Sequence, residues 1–313
     1  MKAPITPKSE IRRHYFMNQY VVIAPKRNLR PDSFASASNG HKLETPTSPM
    51  IERDPAIAEI KGEGGKWAVK VIPNAFPALT LDNPAAYGQQ EIIVETPEHN
   101  LEFSELSHDQ ILRVFKAYGD RIKKLSQLPR IRYVSVFKND GPEAGASIAH
   151  AHSQVMALPL IPPALEVEAE AADQYFDQFA SCAYCDLLNW EVKQSVRVIY
   201  EDKSVCAVAP YASRFPFEAW ILPKRHIGNF TDLSAAELSS IAIILKNLTL
   251  KLDSIKISYN FFLQNSLSNH DHHFVLKLEP RPNVWAGLEL STEVILNPVN
   301  PEYATLWYKG KIK

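Results

Sequence analysis

The sequence predicts an α+β fold built twice, because strand-length apolar runs, a long helical stretch and a histidine phrase joining them recur in the same order in both halves. The phrase is His99 followed four residues later by Phe103-Ser-Glu-Leu-Ser, and then His226 followed by Phe230-Thr-Asp-Leu-Ser. Each copy opens a long helix. In the first half, apolar runs at Tyr20 to Pro25, Trp67 to Ile72 and Glu91 to Glu95 read as strands, with a polar, proline-containing loop extending to about Pro49. From Ser107 to Leu125, Ile111, Leu112, Val114, Phe115, Tyr118 and Ile122 recur at helical spacing, and Ser107-x-x-Gln110 suits a capping box. Arg132 to Phe137 then alternates as a strand. The second half repeats this with strands at Val196 to Tyr200, Ser204 to Val208 and Glu218 to Leu222, a helix from Ala235 to Leu252, and strands at Ile257 to Leu263 and Phe274 to Leu278. Between the halves, Pro159 to about Asp177 begins Pro-Leu-Ile-Pro-Pro and continues acidic, which suits a linker and connecting helix. The expected domains are therefore 1–165 and 166–313.

Composition narrows the class of function. At 313 residues the chain can bury two cores, and its 34 basic side chains nearly cancel its 35 acidic ones, which disfavours a nucleic-acid partner. No apolar run reaches the ~18 residues of a membrane span, and Met-Lys-Ala-Pro-Ile-Thr-Pro lacks the apolar core of a signal peptide, so no membrane association and a cytoplasmic location are expected. Three cysteines, two of them spaced as Cys182-Ala-Tyr-Cys185, argue for metal or redox chemistry over a disulfide framework.

The densest chemistry lies in Asn139-Asp-Gly-Pro-Glu-Ala-Gly145-Ala-Ser147-Ile-Ala-His150-Ala-His152-Ser-Gln154. On a strand, His150, His152 and Gln154 share one face. The glycines allow backbone N–H groups close to an anion, and Asn139 and Ser147 can hydrogen-bond phosphate or ribose oxygens. An imidazole attacks phosphorus when its other nitrogen is held by a carbonyl, and a nearby amide can stabilise the developing oxyanion. Such a motif alone could equally be the polar face of an edge strand, or two alternating metal ligands. Glutamine, however, is a poor zinc ligand.

With its spacing, the motif resembles the Asn-x-Gly-x-x-x-Gly-x-Ser-x-x-His-x-His-x-Gln signature of galactose-1-phosphate uridylyltransferases, in the histidine-triad superfamily. The resemblance runs from about Arg12 to Glu302. It implies two tandem histidine-triad-like domains, each an antiparallel sheet with packed helices, the first catalytic and the second carrying a zinc site and a sugar-phosphate loop. In that family the second histidine of the motif is nucleotidylated and the glutamine binds the transferred phosphoryl group, which falls on His152 and Gln154; the first histidine, here His150, commonly ligates a structural metal. Asn139, Gly145 and Ser147 match nucleotide-binding positions. Arg27-Asn-Leu-Arg30-Pro resembles the family's Arg-x-x-Arg-Pro element, and Asn74-Ala-Phe-Pro-Ala-Leu resembles its Asn-x-Phe-x-Ala-Leu element, so Arg27, Arg30 and Asn74 are expected near the nucleotide.

Cys182 and Cys185, with His226 and a histidine from His270-Asp-His-His273, make a Cys2His2 set for one zinc ion. His273 is preferred, because the family's strand histidine lies seven residues before a proline, and His272 is the fallback. In the first half, Ser48-Pro-Met-Ile51 stands where many relatives carry Cys-x-x-Cys. Serine and isoleucine cannot replace two thiolates, so no tightly bound zinc is expected there, and His99 and His150 should instead hydrogen-bond or pack. The tail from Ala286 to Glu302 resembles the sugar-phosphate loop and lies nearest the ADP-glucose phosphorylase branch; Glu289 matches a residue that binds hexose hydroxyls, whereas Ser291 and Glu293 stand where that branch often has glycine. The implied activity is transfer of a nucleotidyl group from a nucleoside diphosphate sugar to a hexose 1-phosphate by a homodimer, with uridine as the default base. Phosphorolysis or hydrolysis of a nucleotide sugar, and non-catalytic nucleotide binding, are the alternatives.

Overall fold

In the computed structural model the described residues are 9–24, 55–146, 148, 150–267 and 272–312. Arg27, Arg30, the Ser48–Ile51 segment, Ser147, His270 and Asp271 lie outside them. The elements in chain order are β1 (Glu10–Arg13), β2 (Tyr20–Ile23), β3 (Ala58–Lys61), β4 (Trp67–Pro73), β5 (Gln89–Val94), α1 (His108–Leu125), β6 (Tyr133–Asp140), β7 (His152–Leu158), α2 (Pro163–Phe179), α3 (Ala183–Gln194), β8 (Val198–Glu201), β9 (Val205–Val208), β10 (Ala219–Pro223), α4 (Ala235–Ser254), β11 (Tyr259–Gln264), β12 (Val275–Pro280), α5 (Gly287–Thr292), β13 (Ile295–Asn297) and α6 (Pro301–Tyr308).

Ten strands form one antiparallel sheet in the order β3-β4-β5-β7-β6-β11-β12-β10-β9-β8. Read inwards from each edge, the halves are the same five-strand pattern, so the duplication seen in the histidine phrases is a duplication of topology. The halves join through antiparallel β6 and β11, where Asn139 faces Asn260 and Lys138 faces Phe261. Side chains alternate between the two faces of a strand, and here the two faces have different roles. One carries Val69, Ile93, Val136, Val155, Phe261, Leu276 and their neighbours against α1 and α4 in a single core shared by both halves. The other carries His152 and Gln154.

Both long helices start at serine N-caps. Ser234 and Glu237 close a full capping box at α4, but the box expected at Ser107 is half formed. Ser107 accepts from Gln110 N–H at 3.1 Å, whereas the Gln110 amide donates to Ala68 O at 2.7 Å and Glu95 O at 2.6 Å, pinning α1 to the ends of β4 and β5. The Pro159–Asp177 segment contains α2, whose Glu168 accepts from Lys277 Nζ on β12 at 3.1 Å. A small sheet, β1-β2-β13, is tied to the turn before β10 by Asn297 Nδ2, which donates to Ser213 O at 2.8 Å and Phe215 O at 3.1 Å. The tail read as a loop thus contains α5, β13 and α6, and its Glu302 accepts from Arg12 at 3.0 Å and Arg197 at 2.7 Å.

Candidate active site and metal cluster

His152 opens β7 opposite Val94, and Gln154 lies opposite Ile92 on β5 and Phe137 on β6. His150 falls just before the strand, and its ring stacks on His99. Backbone pairing there continues through Glu95 N–H to Ala151 O at 3.1 Å. The His152 ring is almost fully buried, and Nδ1 lies 2.7 Å from His150 O. A carbonyl only accepts, so Nδ1 carries the hydrogen and Nε2 keeps its lone pair. Burial, together with the positive Lys138, lowers the imidazole pKa, overcoming the opposing effects of His150 O and Glu95. His152 is therefore neutral near pH 7, with the basic nitrogen in the form that nucleophilic attack requires.

On the helix side of the same strands lies a buried polar network that the sequence motifs did not reveal. Lys138 Nζ donates to Glu95 Oε2 at 2.9 Å and to His152 O at 3.1 Å. Ser153 Oγ reaches Glu95 Oε1 at 2.5 Å and Tyr118 OH at 2.5 Å. Burial disfavours the Lys138 charge, but the Glu95 carboxylate outweighs it and holds the ammonium pKa above its usual value. The visible signal was a charged residue in each of two apolar strand runs, Ile-Ile-Val-Glu95 and Tyr-Val-Ser-Val-Phe-Lys138.

The other expected residues are held as follows. Gln154 Oε1 accepts from Gln90 Nε2 at 3.2 Å, and Gln90 Oε1 accepts from Ala78 N–H at 3.0 Å, so Gln90 links the turn containing Asn74 to β7. Asn74 Oδ1 accepts from Phe76 N–H at 2.8 Å, leaving the Phe76 ring 92% exposed. Phe137 pairs with Gln154, so Asn139, two residues further along β6, points to the face that carries His152. Gly145 ends the glycine loop in the left-handed region at φ +84°. Glu289 lies on α5, nearly buried, and its carboxylate accepts from Ala286 N–H at 3.0 Å. Beside α5 a cavity of about 100 Å³ is lined by His14, Arg214, Thr292 and Glu293 among others.

In the second half, one ligand atom each from Cys182, Cys185 and His226 lies within 4.8 Å of the others. Cys185 Sγ is 3.3 Å from His226 Nδ1, and the hydrogen bond from Cys185 lowers the Cys182 pKa to about 6 against the effect of burial. The His273 ring centroid is 5.5 Å from that of His226; its Nδ1 donates to Phe274 O at 2.9 Å, and its buried Nε2 has no hydrogen-bond partner. His272 instead approaches Asp173 Oδ1 at 3.3 Å. A thiolate-forming pair and an orphaned, deprotonated imidazole nitrogen fit a zinc ion. In the first half, His99 and His150 stack with Nδ1 atoms 3.1 Å apart, and His150 Nε2–H donates to Thr96 O at 2.7 Å, so His99 is the donor between the rings. The expected pairing of these histidines is present.

Comparison with known proteins gives this geometry a family. Residues 66–162 match the model for the N-terminal domain of galactose-1-phosphate uridyl transferase, and residues 168–273 match that for its C-terminal domain. The chain is 30% identical to ADP-glucose phosphorylase of Arabidopsis thaliana over 94% of its own length and 90% of the relative's. It is 31% identical to galactose-1-phosphate uridylyltransferase of Thermotoga maritima over 74% of its own length and 80% of the relative's. The crystal structure of an Arabidopsis thaliana ADP-glucose phosphorylase with bound ADP-glucose superposes with a TM-score of 0.84 at 27% identity, covering 98% of this chain and 99% of that one. No described helix is long and apolar enough to cross a membrane. The duplicated sheet, both domain matches and relatives spanning nearly its whole length place the chain in the galactose-1-phosphate uridylyltransferase family.

Proposed function

We propose that the chain transfers a nucleotidyl group from a nucleoside diphosphate sugar through a covalent intermediate on His152. The observation that carries this reading is the 2.7 Å contact from Nδ1 to His150 O, which leaves the Nε2 lone pair on a buried, neutral imidazole. Nε2 attacks the α-phosphorus, the bond from that phosphorus to the bridging oxygen breaks, and the sugar phosphate leaves with the bond's electrons. A phosphate-bearing acceptor then attacks the nucleotidyl-histidine, and the lone pair returns to Nε2. Gln154 presents its amide to the developing oxyanion, with Asn139 and the glycine loop binding phosphate or ribose oxygens. Ser147, Arg27, Arg30 and Asn74 complete the nucleotide site, Glu289 takes hexose hydroxyls, and the chain works as a homodimer. Cys182, Cys185, His226 and His273 hold a structural zinc ion, which when bound cross-links the start of α3 to the segments flanking β10 and β12.

A second reading, phosphorolysis of ADP-glucose with inorganic phosphate as acceptor, is favoured by the likeness to ADP-glucose phosphorylase over 94% of the chain. Intact-protein mass spectrometry after brief incubation with UDP-glucose or ADP-glucose tests the shared step. A nucleotidyl adduct is expected on the wild type and not on His152→Ala, and the donor that labels identifies the base. Chasing the adduct with galactose 1-phosphate or inorganic phosphate separates transfer from phosphorolysis. Nucleotide binding without any adduct would overturn both in favour of a non-catalytic binder.

A further inference from the structure

The first half's glycine loop is held from the second half. Asn260 on β11 donates from Nδ2 to Asn139 Oδ1 at 2.9 Å and to Ala144 O at 2.9 Å. Ser258, two residues earlier, donates its hydroxyl to the Glu143 carboxylate. Gly141 lies against β11 so closely that a Cβ there would sit 2.1 Å from Ser258 Oγ, at a φ of +80° that side chains already disfavour. Within the loop, Gly145 N–H donates to Pro142 O at 3.0 Å and Ala146 N–H to Gly141 O at 3.1 Å.

These contacts leave each amide only one orientation. Arg281 has only donors, and its Nε lies 2.5 Å from Asn260 Oδ1; Ala144 O only accepts, so Asn260 must turn Nδ2 towards the loop. Asn139 must then present Oδ1 to Asn260, which leaves its Nδ2–H groups for a ligand. Arg281 is braced in turn by Glu279 at 3.1 Å. We infer that Asn260, Ser258 and Arg281 are positioning residues that reach across the β6–β11 seam and make Asn139 a hydrogen-bond donor to phosphate or ribose oxygens of the nucleotide. The functional part rests on the nucleotidyl-transfer reading above. It gives the second half a part in substrate binding through side chains that do not themselves touch substrate.

The test uses the full chain, with ADP-glucose and UDP-glucose as probes and His152 labelling as readout. Asn260→Ala should raise the donor concentration for half-maximal labelling about tenfold, the loss of one to two net hydrogen bonds, with the saturated labelling rate within about threefold of wild type. In an Asn139→Ala background the same substitution should cost about threefold or less, because its effect passes largely through Asn139. An unchanged half-saturation in Asn260→Ala, or equal costs in both backgrounds, would overturn the inference. Hydrogen exchange of the ligand-free protein tests the clamp independently of donor chemistry. Amides of residues 143–146 should exchange at least about tenfold faster in Asn260→Ala and, more mildly, in Ser258→Ala, while α1 stays protected. Faster exchange alongside a wild type that does not label would refute the nucleotidyl-transfer reading and leave the clamp standing; unchanged exchange would refute the clamp itself.

Discussion

Replacing Lys138 with methionine tests whether the ion pair behind His152 supports the fold as well as the site. Glu95 is 0% exposed, and among the described residues Lys138 is its only cationic partner, at 2.9 Å; Ser153 and Tyr118 remain as neutral partners. Removing one member of a buried pair leaves the other charge uncompensated, at a cost of about 3–5 kcal/mol. With a urea m-value of roughly 3 kcal/mol/M, the unfolding midpoint should fall by about 1–1.7 M. Adding Glu95→Gln should recover more than half of the loss at pH 7.5, since a neutral amide can still bond Ser153 and Tyr118. Urea unfolding of wild type, both single variants and the double variant at pH 7.5, followed by tryptophan fluorescence, measures the cycle. A Lys138→Met cost below about 1 kcal/mol at pH 7.5, or no recovery in the double variant, would refute the electrostatic account.

Other expectations follow from the remaining buried groups. Burial lowers the His14 pKa to about 4, while its Nδ1 accepts from Met17 N–H at 3.2 Å. The unfolded chain takes up that proton near pH 6.5 and the folded one only near 4, so stability falls as pH drops between those values. His14→Asn keeps an acceptor for the Met17 amide and should reduce the loss between pH 7.5 and 5 by about 2 kcal/mol, read from urea melts at the two pH values. Metal analysis should find one zinc per chain, and Cys182→Ser should lower that stoichiometry and the melting temperature together; an unchanged zinc content would remove the cluster as its site.

Much of this protein was legible in its sequence because its strongest signals are local. The spacing of apolar residues gave the strands and long helices, the paired phrases at His99 and His226 gave the duplication, and the Asn139-to-Gln154 spacing gave the family resemblance. The Ser107 box was misjudged because the Gln110 side chain finds two strand-end carbonyls, which only the packed sheet brings within reach. The tail from Ala286 read as a loop because α5 and α6 are short and β13 is three residues long, too little for periodicity to register.

Tertiary structure alone decided which of those residues meet. Residue identities placed His152 and Gln154 in a motif, but the tautomer and charge of His152 come from His150 O, burial and Lys138. The buried Lys138–Glu95 pair joins residues 43 positions apart, and Asn260 reaches Asn139 across 121. Such partners are set by strand order and register, and neither a hydrophobic period nor a local motif encodes which strand lies beside which. The sequence by itself determined the fold, its duplication and the chemical groups available; the joining of β6 to β11 decided how those groups are oriented, because a hydrogen bond fixes an amide only once its partner is in place.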